Sequence, residues 1–493
     1  VVRQDRCVTL TTAWRERWEA APSRPVLVDA GSGRSLSGHD VLQRTSAAAV
    51  ALHDAGVRPG DRVVLSCAPS VETVLAYVAI LRLGAVVVPA NTAYTATELE
   101  HIVADVRPRA AVLDDPSRAP SGLAASTAQA LCAAAGPQTD GAGPPLDEGG
   151  ADDLALIAFT SGTTGRPKGA MLSRGNLLAG AQALVEAWEW TADDRLLHSL
   201  PMFHMHGLGA GINGSLTAGA SMVVLPRFSP QAVVEAIPAY GATMFFAVPT
   251  MYALLREAEA LEGLAGLRLL VSGSAPLDPV LFADVRATAG QAPVERYGMS
   301  ETVMLTSNPV RGERRAGSVG LPLPGVQVRL GEGDGVEVNG PNVFRGYWER
   351  PGATAEAFTA DGWFRTGDIG ELDDDGYLRL VGRASDLIIT AGYNVYPREV
   401  EDVIREHEAV ADVAVVGLPD PTWGETVAAF VVLRGGLDQL EPELVALVED
   451  RLAAYKRPRR WVAVDVLPRN AMGKVQRDAL RASVDTHGGR MGA

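Results

Sequence analysis

Thr160-Ser161-Gly162-Thr163-Thr164-Gly165-Arg166-Pro167-Lys168-Gly169 follows directly on the apolar run Leu154-Ala-Leu-Ile-Ala-Phe159. The run reads as a buried strand. Its glycines permit backbone conformations closed to bulkier residues. The hydroxyls of Thr160, Ser161, Thr163 and Thr164, with the loop N–H groups, can turn inward around an anion. Lys168 and Arg166 supply positive charge, and Pro167 stiffens the exit. A strand opening into such a loop suits a polyphosphate. The G-x-x-x-x-G-K-[ST] spacing of the Walker A loop is absent. A plain Ser/Thr/Gly turn uses the same residues, so the rest of the chain has to decide.

Working outward, alternation surrounds the loop. Asp40 to Ala55 has helical spacing, Arg62-Val-Val-Leu-Ser66 is strand-like, Ser70 to Leu83 is helical, and Ala85-Val-Val-Val-Pro89 is a strand. Helices alternating with strands imply a mostly parallel sheet covered by helices. The longest apolar stretch, Val74 to Pro89, is broken by Arg82 and Gly84 and reads as helix then strand, not as a membrane span. Residues 116–153 are rich in Ala, Gly, Pro, Ser and Asp and are expected to form a surface excursion or linker. After the loop come a helix from Arg174 to Glu189 and the strands Ala242–Pro249 and Leu267–Ser272. Strands ending in small-residue turns set their loops along one sheet edge, where α/β proteins bind ligands. Residues 317–347 suggest an antiparallel β region. The chain from Leu387 onward has its own pattern: helix Pro397 to Glu406, strands Val410 to Val416 and Thr426 to Leu433, helix Pro442 to Leu452.

The totals narrow the class. A chain of 493 residues with 47% hydrophobic content implies at least two domains with sizeable cores. A net charge of −15 argues against a nucleic-acid-binding surface. The three cysteines, Cys7, Cys67 and Cys132, have neither metal spacing nor a disulfide pattern and point to a reducing, cytoplasmic setting. His204 and His206, in Phe203-His-Met-His206, lack a carboxylate partner in sequence, which makes a metal site there a weak reading.

Five motifs in order, FTSGTTGRPKG, ERYGMSET, TGD, GRASDLI and PRNAMGK, give the chain a strong resemblance to the adenylate-forming acyl-CoA synthetase superfamily. The resemblance covers nearly the whole length. It implies an α/β fold: a large N-terminal domain of mostly parallel sheets covered by helices plus a β subdomain (1–383), a hinge (384–386) and a small mobile α+β domain (387–493). It implies ATP, Mg²⁺ and CoA as co-reactants, a small-molecule carboxylic acid as substrate, and no nucleic-acid partner or membrane span. A carboxylate attacks the α-phosphate of ATP to give acyl-AMP and pyrophosphate. A thiol then displaces AMP.

Carried over residue by residue, the resemblance makes Lys474 the catalytic cation that offsets the repulsion of two anionic reactants. Glu301 becomes the Mg²⁺ ligand. Thr302, Thr160, Ser161, Gly162, Thr163, Thr164 and Lys168 hold phosphate oxygens. Asp368 accepts from the ribose hydroxyls, with Arg383 on the hinge side. Tyr297 stacks on adenine, Gly298 belongs to the same nucleotide site, and Gly273, Ser274 and Ala275 shape the slot. His204 lines the carboxylate end of the acid site, and Gly392 lines a thiol path.

The acid itself is less legible. The stretches around His204, Phe246, Met251 and Met304 resemble malonyl-CoA synthetases, which carry an Arg two residues after the Tyr of Pro249-Thr-Met-Tyr252. Leu254 stands there instead. That apolar residue favours a fatty or other aliphatic monocarboxylate. Malonate is the runner-up, with Arg256 as a substitute cation, and loading of a carrier protein is a further alternative.

Overall fold

The computed structural model describes residues 8–133, 143–160, 167–470 and 474–486. Two compact units emerge: Val1–Val328 with Val338–Phe364, and Arg329–Glu337 with Arg365–Ala493. The division in packing falls near residue 365. The hinge expected at 384–386 concerns motion, and it stays a proposal.

The first unit is built on two sheets. In one, Val294–Tyr297, Leu269–Ser272, Met244–Ala247, Arg195–His198, Ser221–Val224 and Pro25–Asp29 lie side by side, all parallel. Short antiparallel strands close both edges. In the other, Ala124–Ser126, Ala110–Leu113, Arg62–Ser66, Val86–Pro89 and Leu154–Thr160 are parallel, and Lys168–Ser173 adds antiparallel to the last. These strands are short runs of Val, Ile, Leu and Ala buried on both faces, as helix-covered parallel strands require.

The helices follow their sequence signals. Ser37 and Ser70 cap Gly38–Asp54 and Val71–Arg82, each Oγ accepting from a backbone N–H of the first turn. In Val71–Arg82 every residue except Glu72 is buried, so its all-round apolar character marks a central core helix. Among the described residues no helix is long and apolar enough to cross a membrane.

Some expectations need correcting. Within residues 116–153, Ala124–Ser126 extends the six-stranded sheet and Ala128–Ala133 buries Leu131 and Cys132. Asp147 is buried and pairs with buried Arg82 at 3.0 Å, while Arg82 Nη1 donates to Thr45 Oγ1 at 2.7 Å. A polar composition hid an anchored segment, because the partner that buries it lies far away in sequence. Residues 317–347 hold only three short strands, which belong to two different sheets.

The second unit has a sheet of Tyr393–Val395, Ile388–Thr390, Gly424–Leu433 and Val410–Asp420, with Arg460–Ala463 parallel to Gly424–Leu433. Its two faces carry separate cores. One packs Val400, Ile404, Leu444 and Val448 against Val413, Val415 and Val431. The other packs Leu467 and Leu480 against Val416, Ala428 and Phe430. The last long helix runs Leu437–Arg451 and contains Pro442, which the sequence had placed at its start.

Candidate active site

The organising loop joins the two strands of a hairpin, and the helix expected from Arg174 follows as Arg174–Ala187. Thr160 and Lys168 face each other across the antiparallel pair Leu154–Thr160 and Lys168–Ser173, and Thr160 Oγ1 donates to the Lys168 carbonyl at 3.3 Å. The Lys168 ammonium lies 5.4 Å from the centre of the Tyr347 ring. Ser161, Gly162, Thr163 and Thr164 lie outside the described residues.

Two neighbouring parallel strands deliver the next group. Leu269–Ser272 runs into Gly273, Ser274 and Ala275, and Val294–Tyr297 runs into Gly298. Ser274 has φ of 73°, the left-handed region that few residues other than glycine adopt. Tyr297 is buried. A Cβ on Gly298 would sit 2.3 Å from the Val303 carbonyl oxygen, so only glycine fits. Val303 has φ of 60°. A β-branched residue in that region stores strain, and strain of this kind gathers at ligand sites.

Glu301 and Thr302 are both buried. The Tyr347 hydroxyl donates to Glu301 Oε1 at 3.0 Å, and the Phe344 N–H donates to the Glu301 carbonyl at 2.8 Å. Burial, with the neighbouring Glu301 carboxylate, pushes the Tyr347 phenol well above its usual range. Asn342 Nδ2 donates to the carbonyls of Thr302 and Met304 at 2.8 and 2.7 Å. The backbone here is therefore held from residues 342–347, and Thr302 Oγ1 has no partner among the described residues. One oriented carboxylate beside open hydroxyls fits Mg²⁺, which binds through one or two carboxylates and completes its shell with water and phosphate oxygens.

The acid end is the least expected part. His206 begins a π-helical turn, His206–Ile212, in which the Ala210 N–H donates to the Met205 carbonyl at 2.9 Å, five residues back. The glycines of that turn allow close packing: a Cβ on Gly207 would meet the Pro201 carbonyl at 2.2 Å, and one on Gly209 would meet Val303 Cγ1 at 2.9 Å. His204 precedes the turn, half-buried, its ring 4.5 Å from that of Phe203. His206 is 2% exposed and Arg296 4% exposed. Arg296 Nη2 donates to Ser274 Oγ at 3.3 Å, and Ser274 Oγ lies 3.4 Å from His206 Nδ1. Among the described residues no carboxylate pairs with Arg296, and its Nε and the His206 Nε2 have no partner. Burial lowers the Arg296 pKa to about 9, which leaves it charged near neutrality. Burial, with the Arg296 charge nearby, holds His206 neutral, well below its ordinary value.

In the second unit Asp368 lies within the strand Phe364–Leu372, not in the tight turn read from Thr366-Gly367-Asp368. It faces Arg383 across the antiparallel pair, with Nε and Oδ1 3.1 Å apart. Gly392 has φ of 81°, and no atom lies within 4 Å of where its Cβ would stand. Its backbone angle, more than crowding, asks for glycine here. Lys474 is exposed and closes a small loop: the Asn470 N–H donates to its carbonyl at 2.9 Å, and its own N–H donates to Asn470 Oδ1 at 3.1 Å.

Two family models match in register with these groups: AMP-binding enzyme over residues 14–348, and AMP-binding enzyme C-terminal domain over 399–474. The first alone spans more than half of the chain. This chain belongs to the AMP-binding enzyme family. It is an enzyme of the adenylate-forming, acid–thiol ligase type. The malonate–CoA ligase of Arabidopsis thaliana is 38% identical over 372 residues, 68% of this chain and 61% of that protein. A feruloyl-CoA synthase from an Amycolatopsis species is 36% identical over 469 residues, 91% of this chain and 94% of that one. The crystal structure of ATP-bound MatB from Rhodopseudomonas palustris superposes with a TM-score of 0.90 at 38% identity, over 97% of this chain and 99% of that one.

Within this AMP-binding enzyme, the structure brings together Tyr297, Gly298, Glu301 and Thr302 on one strand end and its loop. Thr160 and Lys168 meet on a hairpin of the same unit, and Asp368 and Arg383 pair in the other unit. It does not support the use made of Leu254. The helix Pro249–Glu257 buries Met251, Tyr252 and Leu255, which leaves Leu254 42% exposed. Arg256 is also exposed and sits 3.1 Å from Asp284. The sequence reading missed Arg296, Tyr347 and the role of Ser274 beside them. The available signal was an arginine inside Pro293-Val-Glu-Arg296-Tyr297, a strand whose residues Val294 to Tyr297 are all buried.

Proposed function

We propose that this chain is an ATP-dependent acid–CoA ligase whose acid is a short dicarboxylic acid of the malonate class. The observation that carries the reading is Arg296. A guanidinium removed from water, with no carboxylate beside it among the described residues, costs several kcal/mol unless an anion arrives. A substrate with a second carboxylate supplies that anion. An aliphatic monocarboxylate would leave the charge uncompensated, and Leu254, the residue that favoured such an acid, faces solvent. The malonate–CoA ligase among the relatives supports the same choice.

The remaining roles follow the chemistry of the groups. The reacting carboxylate attacks the α-phosphate, and the bond to pyrophosphate breaks. Mg²⁺, held by Glu301, neutralises phosphate charge when bound. Thr160, Lys168 and the buried hydroxyl of Thr302 hold phosphate oxygens, with Lys474 offsetting the charge of the two anions. Tyr297, Gly298, Gly273, Ser274 and Ala275 form the adenine slot, and Asp368 and Arg383 hold the ribose. His204 lines the carboxylate end and Gly392 the thiol path. Cys67 and Cys132 are buried free thiols, which supports a cytoplasmic setting.

Acid-dependent ATP–pyrophosphate exchange tests the reading. Butyrate has nearly the shape of malonate with a methyl group in place of the second carboxylate. The wild type is expected to prefer malonate in kcat/KM by about 10- to 100-fold, the range for a hydrogen bond to a charged group. Arg296→Met should collapse that ratio. A wild-type preference for butyrate or longer alkyl acids would overturn the reading and restore the aliphatic one.

A further inference from the structure

We propose that Arg477 is a positioning residue for the adenylation step: it ties the turn Ala384–Asp386 to the loop that ends in Lys474, so that the setting of the turn fixes where the ammonium stands. The inference rests on the reading of Lys474 as the cation of that step and adds the residue that places it.

Arg477 opens the helix Arg477–Thr486, three residues after Lys474. Between the two the chain has little freedom. Val475 pairs with Arg469 in an antiparallel bridge, and the Gln476 N–H donates to the Pro468 carbonyl at 2.8 Å. The two hydrogen bonds between Asn470 and Lys474 pin the loop from inside. Behind it the helix is seated by Leu480, which is buried in one core with Val416 and Phe430. Whatever holds Arg477 therefore holds Lys474.

Three elements hold Arg477. Its Nη2 donates to Glu401 Oε1 at 2.7 Å, on the helix Pro397–Arg405. Its Nε donates to the Val415 carbonyl at 3.3 Å, on the strand Val410–Asp420. Its Nη1 donates to Asp386 Oδ2 at 3.4 Å, the last residue of the turn. Glu401 is 7% exposed, and its Oε1 also accepts from the Val415 N–H at 2.8 Å. The guanidinium thus closes a ring with Glu401 and Val415 and keeps a third donor for the turn. Burial works against its charge, yet Glu401 and Asp386 hold its pKa above the ordinary value. A rigid planar fork can span three acceptors in this way, and an ammonium cannot. On the other side of the turn Arg383 faces Asp368. Ala384 and Ser385, both exposed, lie between these two gripped ends. Rotation at Ala384 and Ser385 would carry Asp386, Arg477 and Lys474 together as one body.

The test separates the two steps in the full chain. Malonate-dependent pyrophosphate exchange reads the first, with butyrate used instead should the wild type prefer it. CoA-dependent AMP release from the supplied acyl-adenylate reads the second. Arg477→Lys keeps a charge beside Glu401 and loses the fork. It is expected to slow exchange about tenfold, as for a lost hydrogen bond between charged groups, and to leave the second step within about threefold. Asp386→Asn keeps the shape and removes the charge. It is expected to slow exchange about threefold, the scale of a partly exposed ion pair. In the double variant the two effects should not add, because both act through one contact. A merely structural arginine would slow both steps alike and would add to Asp386→Asn. Either result overturns the proposal, as does an unchanged exchange rate in Arg477→Lys. Should Arg477→Lys fail to fold, Asp386→Asn decides alone, and exchange at the wild-type rate is then equally fatal. Lys474→Ala distinguishes this proposal from the reading beneath it. If that variant stops exchange while Arg477→Lys slows both steps alike or neither, the arginine assignment fails alone. If Lys474→Ala exchanges at the wild-type rate, both fail.

Discussion

At the scale of single residues, chemistry here depends on partners as much as on the residue named by a motif. Glu301 is legible in Gly298-Met-Ser-Glu301, but what orients it is Tyr347, 46 positions away, through a 3.0 Å hydrogen bond. We expect Tyr347→Phe to leave the fold intact and to raise the Mg²⁺ concentration for half-maximal activity about 3- to 10-fold, since one hydrogen bond to a carboxylate is lost at a half-buried site. A Mg²⁺ titration of adenylation checks this, and an unshifted midpoint would remove Tyr347 from the metal's support. The same logic exposes Arg296. Its charge is read from sequence in one letter, yet that no carboxylate among the described residues pairs with it is a fact of packing. Only the packing of the strand Val294–Tyr297 against Gly273 and Ser274 makes that visible.

At the scale of elements, the strand ends decide where loops can go. The turn after Val294–Tyr297 must double back so that the Leu305 N–H reaches the Tyr297 carbonyl at 2.9 Å, and Gly298 sits inside that fold with no room for a methyl group. Gly298→Ala is therefore expected to cost at least about 2 kcal/mol, because the obstructing atom is backbone and cannot rotate away. Gly352→Ala is the control. It lies in the short helix Pro351–Ala357 with nothing within 4 Å of the added carbon. It should be neutral or stabilising by up to about 1 kcal/mol, through helix propensity and a less flexible unfolded chain. Denaturant midpoints for the two variants check the pair, and equal effects would refute the steric argument.

At the scale of the molecule, two units with separate cores suit a reaction in two steps. The proposed hinge, Ala384-Ser385-Asp386, is a single 3-10 turn. Proline at its centre would fix one backbone angle and narrow the conformations available to it. Ser385→Pro is expected to retain malonate-dependent pyrophosphate exchange within about threefold while slowing CoA-dependent AMP release by tenfold or more, the pattern of a blocked rearrangement. Equal slowing of both steps would argue that the pivot lies elsewhere, for instance near residue 365 where the packing divides.

The sequence by itself determined the α/β architecture, the order of helices and strands, and the family. Those rest on local signals: apolar runs of strand length, Ser and Thr caps, and motifs whose residues are contiguous. The motifs that put forward Lys474, Glu301, Asp368 and the loop from Thr160 as site residues were legible for the same reason. Only the tertiary structure decided that Asp147 is buried against Arg82, that Leu254 faces water, and that Ser274 joins Arg296 to His206. Each of these depends on burial or on a partner distant in the chain. Periodicity on the helix Pro249–Glu257 was too short to fix which side faced inward, and one residue of rotation exchanges an exposed position for a buried one. The acid proposed above rests on that geometry, because the free energy of a charge depends on what surrounds it after folding, and no stretch of sequence contains its own surroundings.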